Sequence, residues 1–250
     1  MKLNICHLYP DLLNLYGDQG NIICMKKRLE WRHVDVTVTL CGVGDPLNAS
    51  EYDLYFIGGG QDFEQEVLLD DLKGAKAQAV KSAIEDGKTM LAICGGYQML
   101  GKNISDPYSS ETDKITECMG MDLLPVETVF RQEKVQRQTT GRISGISGIF
   151  SSLNGSEYHG YEIHMGQDTK NRLPVINSGN IYGTYIHGIF DDAGISNTII
   201  ESLRKNKGLP AGTASKFDLK QHKEEQYDLL AKTVRDSLDM DQIYSIIENK

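Results

Sequence analysis

Thr89-Met90-Leu91-Ala92-Ile93-Cys94-Gly95-Gly96-Tyr97-Gln98-Met99-Leu100-Gly101 is the stretch whose reading decides the fold. Residues 89–93 are mostly apolar and too few for a helix, so they read as a buried strand of a parallel sheet. Cys94 follows at once, then two glycines, then a helix-like run. Strand, tight turn and helix make the layout of a nucleophile elbow, here with a thiol in place of a hydroxyl. The turn has no room for side chains beside the nucleophile, so glycines flank it. At a helix N-terminus the dipole favours the thiolate, and the Gly95 N–H is placed to donate to an oxyanion. A buried structural Cys before a glycine turn would use the same residues, so something outside the stretch must decide.

That second observation is Gly183-Thr184-Tyr185-Ile186-His187-Gly188-Ile189-Phe190, again a short strand running into a polar residue and a glycine. One Cys after one strand and one His after a distant strand is the layout of a Cys–His nucleophilic pair. The His would take the thiol proton and return one to a leaving amine.

Further strands are expected over 3–8, 34–40 and 53–57. Helices are expected from about Asn21 to Arg32 and from Ala75 to Asp86. The second has apolar residues at helical spacing and Gly87 as its cap. Strands alternating with helices predict an α/β fold: a central, largely parallel sheet covered by helices. Ligands in such sheets bind beyond the carboxyl ends of strands. Gly58-Gly59-Gly60, after the third strand, together with Cys94 and His187, all fall at such ends. The triplet lets backbone approach a ligand. No Gly-Lys-Ser/Thr follows it, so it is not a phosphate loop. A polar surface loop is expected over Asn103–Glu117, and additional antiparallel strands after Gly120. Helices are expected over Ile195–Lys207, Lys223–Leu238 and Asp241–Glu248. The middle one carries an apolar stripe, Tyr227, Leu230, Ala231, Val234 and Leu238, read as core packing or else a subunit interface. The whole chain, 1–250, reads as a single domain.

Ile93-Cys94-Gly95-Gly96-Tyr97-Gln98 with Tyr185-Ile186-His187-Gly188 resembles the class I glutamine amidotransferases of the cobyric acid synthase (CobB/CobQ) type. Gly160-Tyr161-Glu162-Ile163-His164-Met165-Gly166 resembles the same pattern. Two other stretches, Leu13-Asn14-Leu15-Tyr16-Gly17-Asp18-Gln19-Gly20-Asn21-Ile22 and Gly58-Gly59-Gly60-Gln61-Asp62-Phe63-Glu64-Gln65, are similar to the GatD branch. GatD is the glutaminase subunit of lipid II isoglutaminyl synthase, whose partner is MurT.

The resemblance implies hydrolysis of glutamine through a cysteinyl thioester, with Cys94 as nucleophile and His187 as base. It also implies ammonia delivery to a MurT-like ATP-dependent ligase that amidates the lipid II stem peptide. Its alternative is a corrinoid amidotransferase, and a non-catalytic binding module is a third reading. It implies oxyanion and glutamine-binding roles for Gly58, Gly59, Gly60, Gly95, Gln98 and Arg137. Arg137 is the nearest match to a substrate-holding Arg of GatD, with its spacing to Gly141 off by one residue.

Many class I members carry a Glu two residues after the His; here Ile189 stands there. The acid that orients His187 must then come from Glu162, Asp191, Asp192, a backbone carbonyl or the partner. Glu162 and His164 share one side of a strand and could equally be a structural pair. No Walker loop or ligase motif is present, so ATP and Mg are expected on the partner, in a heterodimer.

Composition narrows the classes. Against 35 Asp and Glu stand 26 Lys and Arg, net −9, which argues against a nucleic-acid surface. No apolar run approaches the roughly 20 residues of a membrane span. The N-terminus is too short and polar for a signal peptide. Five Cys without metal-ligand spacing read as reduced thiols in a cytoplasmic protein with no metal site.

Overall fold

A computed structural model describes residues 2–60, 62–109, 116–209 and 219–248. Two compact units form, residues 1–213 and 214–250.

The first unit is built on a sheet of β1 (Lys2–Leu8), β2 (Asp35–Cys41), β3 (Leu54–Ile57), β4 (Thr89–Ile93), β9 (Ile176–Ser178) and β10 (Ile181–Thr184). Its order is β2-β1-β3-β4-β10-β9. All neighbours run parallel except β9, which is antiparallel to β10. Alternate side chains feed two cores. Leu3, Ile5, Leu54, Phe56, Leu91 and Ile93 enter one, with α1 (Gln19–Glu30) and α5 (Ala193–Asn206). Cys6, Leu8, Tyr55, Ile57, Met90 and Ala92 enter the other, where Val80 and Ala83 of α3 (Ala75–Glu85) and Tyr97 and Met99 of α4 (Gly95–Met99) also pack. Burial on both faces explains why β3 and β4 read as unbroken apolar runs. Each such Leu, Ile or Phe contributes roughly 1.5–3 kcal/mol on burial.

Register sets the site. Ile57 lies beside Ala92, and Ile93 beside Thr184. The carboxyl ends of β3, β4 and β10 are therefore side by side at the centre of the sheet.

A second sheet has the order β6-β5-β7-β8. Its main feature is the antiparallel hairpin of β7 (Glu127–Arg142) and β8 (Glu157–Asp168), with a register shift between Phe130 and Val135. The loop expected over 103–117 is corrected here. β5 (Asn103–Asp106) and β6 (Thr116–Met119) pair across it, because Ile104 alternates inward and pairing with β7 satisfies the polar backbone. Gln61 and residues 110–115 lie outside the described residues. α2 (Asp62–Asp71) follows the glycine triplet.

The second unit holds α6 (Leu219–Ser237) and α7 (Met240–Glu248). Its apolar stripe does not pack into a core: Tyr227, Leu230, Val234 and Leu238 are all exposed. No helix among the described residues is long and apolar enough to cross a membrane.

Candidate active site

Cys94 caps α4 with φ 50° and ψ −111°, a left-handed position sparsely populated by non-glycine residues. Holding it there costs about 1–3 kcal/mol, supplied by the surrounding structure. Two backbone hydrogen bonds do the holding. Cys94 N–H donates to Thr184 O at 2.9 Å, and Gly96 N–H donates to Gly58 O at 2.9 Å. The elbow is thus tied to β10 on one side and to the β3 loop on the other.

Gly59 is where the site converges. A Cβ on it would lie 2.9 Å from Cys94 Cβ, 3.2 Å from Asp18 Oδ2 and 3.3 Å from His187 Cε1. Only a residue without a side chain lets these three groups meet.

His187 is fully buried. Its Nδ1 lies 2.9 Å from Asp18 Oδ1, and both side chains are 1% exposed. Asp18 is itself fixed: Oδ2 accepts the Gly59 N–H at 2.7 Å and Oδ1 accepts Asn21 Nδ2 at 3.3 Å. A carboxylate at Nδ1 places the imidazole proton there and leaves Nε2 as the basic nitrogen. That Nε2 is enclosed and has no hydrogen-bond partner among the described residues. The ring is clamped by Tyr161, stacked at 5.1 Å and 17°, and by the edge of Tyr16 at 5.2 Å. The Tyr161 hydroxyl donates to Tyr16 O at 2.6 Å. Backbone bonds in both directions join Tyr161 and His187. Gly160 permits this bridge, since a Cβ there would sit 2.4 Å from His187 O.

The acid facing His187 is therefore Asp18, from the loop after β1, and none of the residues expected for that place. Glu162 is directed elsewhere by strand register: it stands opposite Arg137 on β7 and accepts from its Nε at 2.6 Å. Asp192 caps α5, accepting from Gly194 N and Ile195 N, and Asp191 closes a 3-10 turn, Ile189–Asp191. Asp18 was within reach of sequence reasoning, as an acidic residue in a loop at the carboxyl end of a central strand. No spacing links it to residue 187, so the sequence alone does not mark it as the partner.

The other expected residues divide. Gly58, Gly59, Gly60 and Gly95 line the junction of elbow and β3 loop, but the Gly59 N–H is committed to Asp18. Gln98 is buried on α4 and donates to the Tyr185 hydroxyl at 3.3 Å. Arg137 is on the hairpin, exposed, bound to Glu162. Cys94 Sγ lies 3.8 Å from Ile163 O on β8.

Beside β8 an open cleft of about 560 Å³ is lined by Arg131, Arg137, Glu162, His164 and Tyr185. His164 Nδ1 is 2.7 Å from Gly166 O, and its ring stacks on Tyr185 at 4.0 Å. Burial holds the His164 pKa below the usual histidine value. A third histidine, His7 on β1, packs edge-on to Phe56 at 5.3 Å. Neither of its ring nitrogens has a partner among the described residues, and burial pushes its pKa down to about 4.

Comparison with known proteins places the chain in a family. Residues 4–194 match the CobB/CobQ-like glutamine amidotransferase domain. The cobyric acid synthase of Lachnoclostridium phytofermentans is 43% identical over 209 residues, covering 72% of this chain and 40% of that protein. That of Ruminiclostridium cellulolyticum is 38% identical over 219 residues, covering 78% and 41%. The chain thus spans about two fifths of the length of these relatives. Among solved structures, PurLQS from Thermotoga maritima aligns with a TM-score of 0.56 at 17% identity, over 83% of this chain and 100% of that one. The glutaminase domain of Trypanosoma brucei CTPS, solved with bound acivicin, aligns with a TM-score of 0.53 at 10% identity, over 86% and 98%. At these identities the two structures speak for the fold.

Proposed function

This chain belongs to the CobB/CobQ-like glutamine amidotransferase family, and from that premise we propose that it hydrolyses glutamine and hands the ammonia to an ATP-dependent amide-forming ligase. The observation that carries the reading is the convergence of Cys94, His187 and Asp18 around Gly59.

In this reading His187 Nε2 takes the thiol proton, and Sγ attacks the carboxamide carbon of glutamine. The carbonyl oxygen becomes an oxyanion, which accepts from Gly95 N–H at the start of α4, one of the helix's unpaired donors. Gly59 N–H is spent on Asp18, so the second donor from the triplet is Gly60. Collapse of the tetrahedral adduct breaks the C–N bond, and His187 returns the proton to the leaving ammonia. Water, deprotonated by the same nitrogen, cleaves the thioester to glutamate and restores the thiol. Asp18, accepting from Nδ1, orients the ring and stabilises the imidazolium.

Because Asp18 is internal, hydrolysis has no need of a carboxylate from outside the chain. The isolated chain should therefore release glutamate, and a partner should raise the rate by other means than completing the triad. ATP and Mg belong to that partner. The relatives named cobyric acid synthase support a corrinoid carboxylate as acceptor. The stretches 13–22 and 58–65, similar to GatD, contain Asp18 and Gly59 and support a MurT-like ligase acting on the lipid II stem-peptide glutamate. The test is glutamate release by the chain alone, then with each ligase, with ATP and with each acceptor. Amidated product with one ligase names the acceptor; no glutamate release under any condition ends the proposal.

A further inference from the structure

The hairpin presents a second buried histidine that the steps above leave unused. Gly166 O can only accept, so at 2.7 Å from it His164 Nδ1 must carry the ring proton. Nε2 then holds a lone pair and can only accept. It is buried and has no donor among the described residues. Burial, with the charges of His187 and Arg137 nearby, keeps the ring neutral, so it does not become a second donor. A buried acceptor without a donor is unfavourable unless something arrives to satisfy it.

What arrives is indicated by the neighbours. The residue before His164, Ile163, has its carbonyl 3.8 Å from Cys94 Sγ, so this segment borders the nucleophile. Glu162 and His164 are two apart on β8 and line the same cleft, with Arg137 opposite Glu162 on β7 and Arg131 in the register shift of that strand. The cleft's volume of about 560 Å³ falls within the range of small-ligand pockets. An acceptor nitrogen and a carboxylate on one strand, with guanidinium groups on the other, complement a zwitterionic amino-acid head.

We infer that His164 Nε2 accepts a hydrogen bond from the α-ammonium group of glutamine, with Glu162 as its counter-charge. His164 thereby selects glutamine over amides that lack an α-amino group. This rests on the glutaminase reading for the identity of the ligand but not on turnover.

The experiment is calorimetric titration of the full chain carrying Cys94→Ala, with glutamine and with 4-carbamoylbutanoate, which is glutamine without its α-amino group. The expected result is at least a tenfold preference for glutamine, falling to within twofold when His164→Leu is added. Glu162→Gln should lower the preference in the same direction, and His164→Gln, which keeps an acceptor, should retain part of it. A preference unchanged by His164→Leu overturns the proposal, as does the absence of glutamine binding. Should His164→Leu unfold the hairpin, Glu162→Gln carries the same decision. If Cys94→Ala shows the His164-dependent preference but the unmutated chain releases no glutamate, the recognition role stands and the hydrolytic reading falls.

Discussion

His187 and His164 lie on opposite sides of one comparison. Both are buried, both stack on a tyrosine, and both have an Nε2 with no hydrogen-bond partner among the described residues. They differ in what meets Nδ1. For His187 it is a carboxylate, Asp18 at 2.9 Å; for His164 it is a carbonyl, Gly166 O at 2.7 Å. A carboxylate stabilises the imidazolium and makes the opposite nitrogen a working base. A carbonyl fixes the tautomer without supplying charge, and burial then keeps the ring neutral. Two buried rings thus yield a proton carrier in one place and a fixed acceptor in the other.

The largest effect expected is on the nucleophile. Cys94→Ala should abolish glutamate release, and 6-diazo-5-oxo-norleucine should label the native chain on Cys94. Mass spectrometry placing the adduct on Cys6, Cys24, Cys41 or Cys118 instead would remove the elbow from the mechanism.

The next test separates the histidines. His187→Ala should lower turnover by roughly 10²–10⁴-fold, whereas His164→Ala should act mainly through KM. The assignments are reversed if steady-state kinetics show His164→Ala abolishing turnover and His187→Ala sparing it.

Their carboxylates give a sharper contrast with less disturbance. Asp18→Asn keeps the shape but favours the wrong tautomer of His187, and a fall in kcat on the order of 10²–10⁴-fold follows. Glu162→Gln should change kcat by less than about threefold, because its partner is Arg137 rather than His187. A larger kcat loss in Glu162→Gln than in Asp18→Asn would put the orienting acid back on β8.

The smallest effect concerns stability, and His7 extends the comparison to a ring with no partner on either nitrogen among the described residues. Its folded pKa, about 4, lies below the ordinary value of 6.5. As pH falls, the unfolded chain binds the proton first. Stability is therefore full above about pH 6.5 and declines toward pH 4, by roughly 3 kcal/mol at most. Urea unfolding at pH 7 and pH 4.5 should show a smaller loss in His7→Phe than in the native chain. Equal losses would mean that His7 is solvated.

The elbow was legible because consecutive residues specify it. Five mostly apolar residues, a Cys and two glycines encode strand, turn and helix within one local stretch. The glycine triplet was legible for the same reason. The loop expected over 103–117 was not, since β5 and β6 are short and acquire strand character only from pairing with each other and with β7. The stripe on α6 was visible as a period, but a period says which face is apolar and not whether anything covers it.

By itself, then, the sequence determined an α/β chain with a thiol at a strand end, a histidine beyond another strand, and a family pattern joining them. Local conformation and periodicity are properties of neighbouring residues, and they survive in the linear order. Tertiary structure decided which carboxylate serves which histidine. Asp18 and His187 are separated by 169 positions and meet only because β1, β3, β4 and β10 align their carboxyl ends around Gly59. Glu162, though closer to His187 in the chain, is turned to Arg137 by the hairpin register.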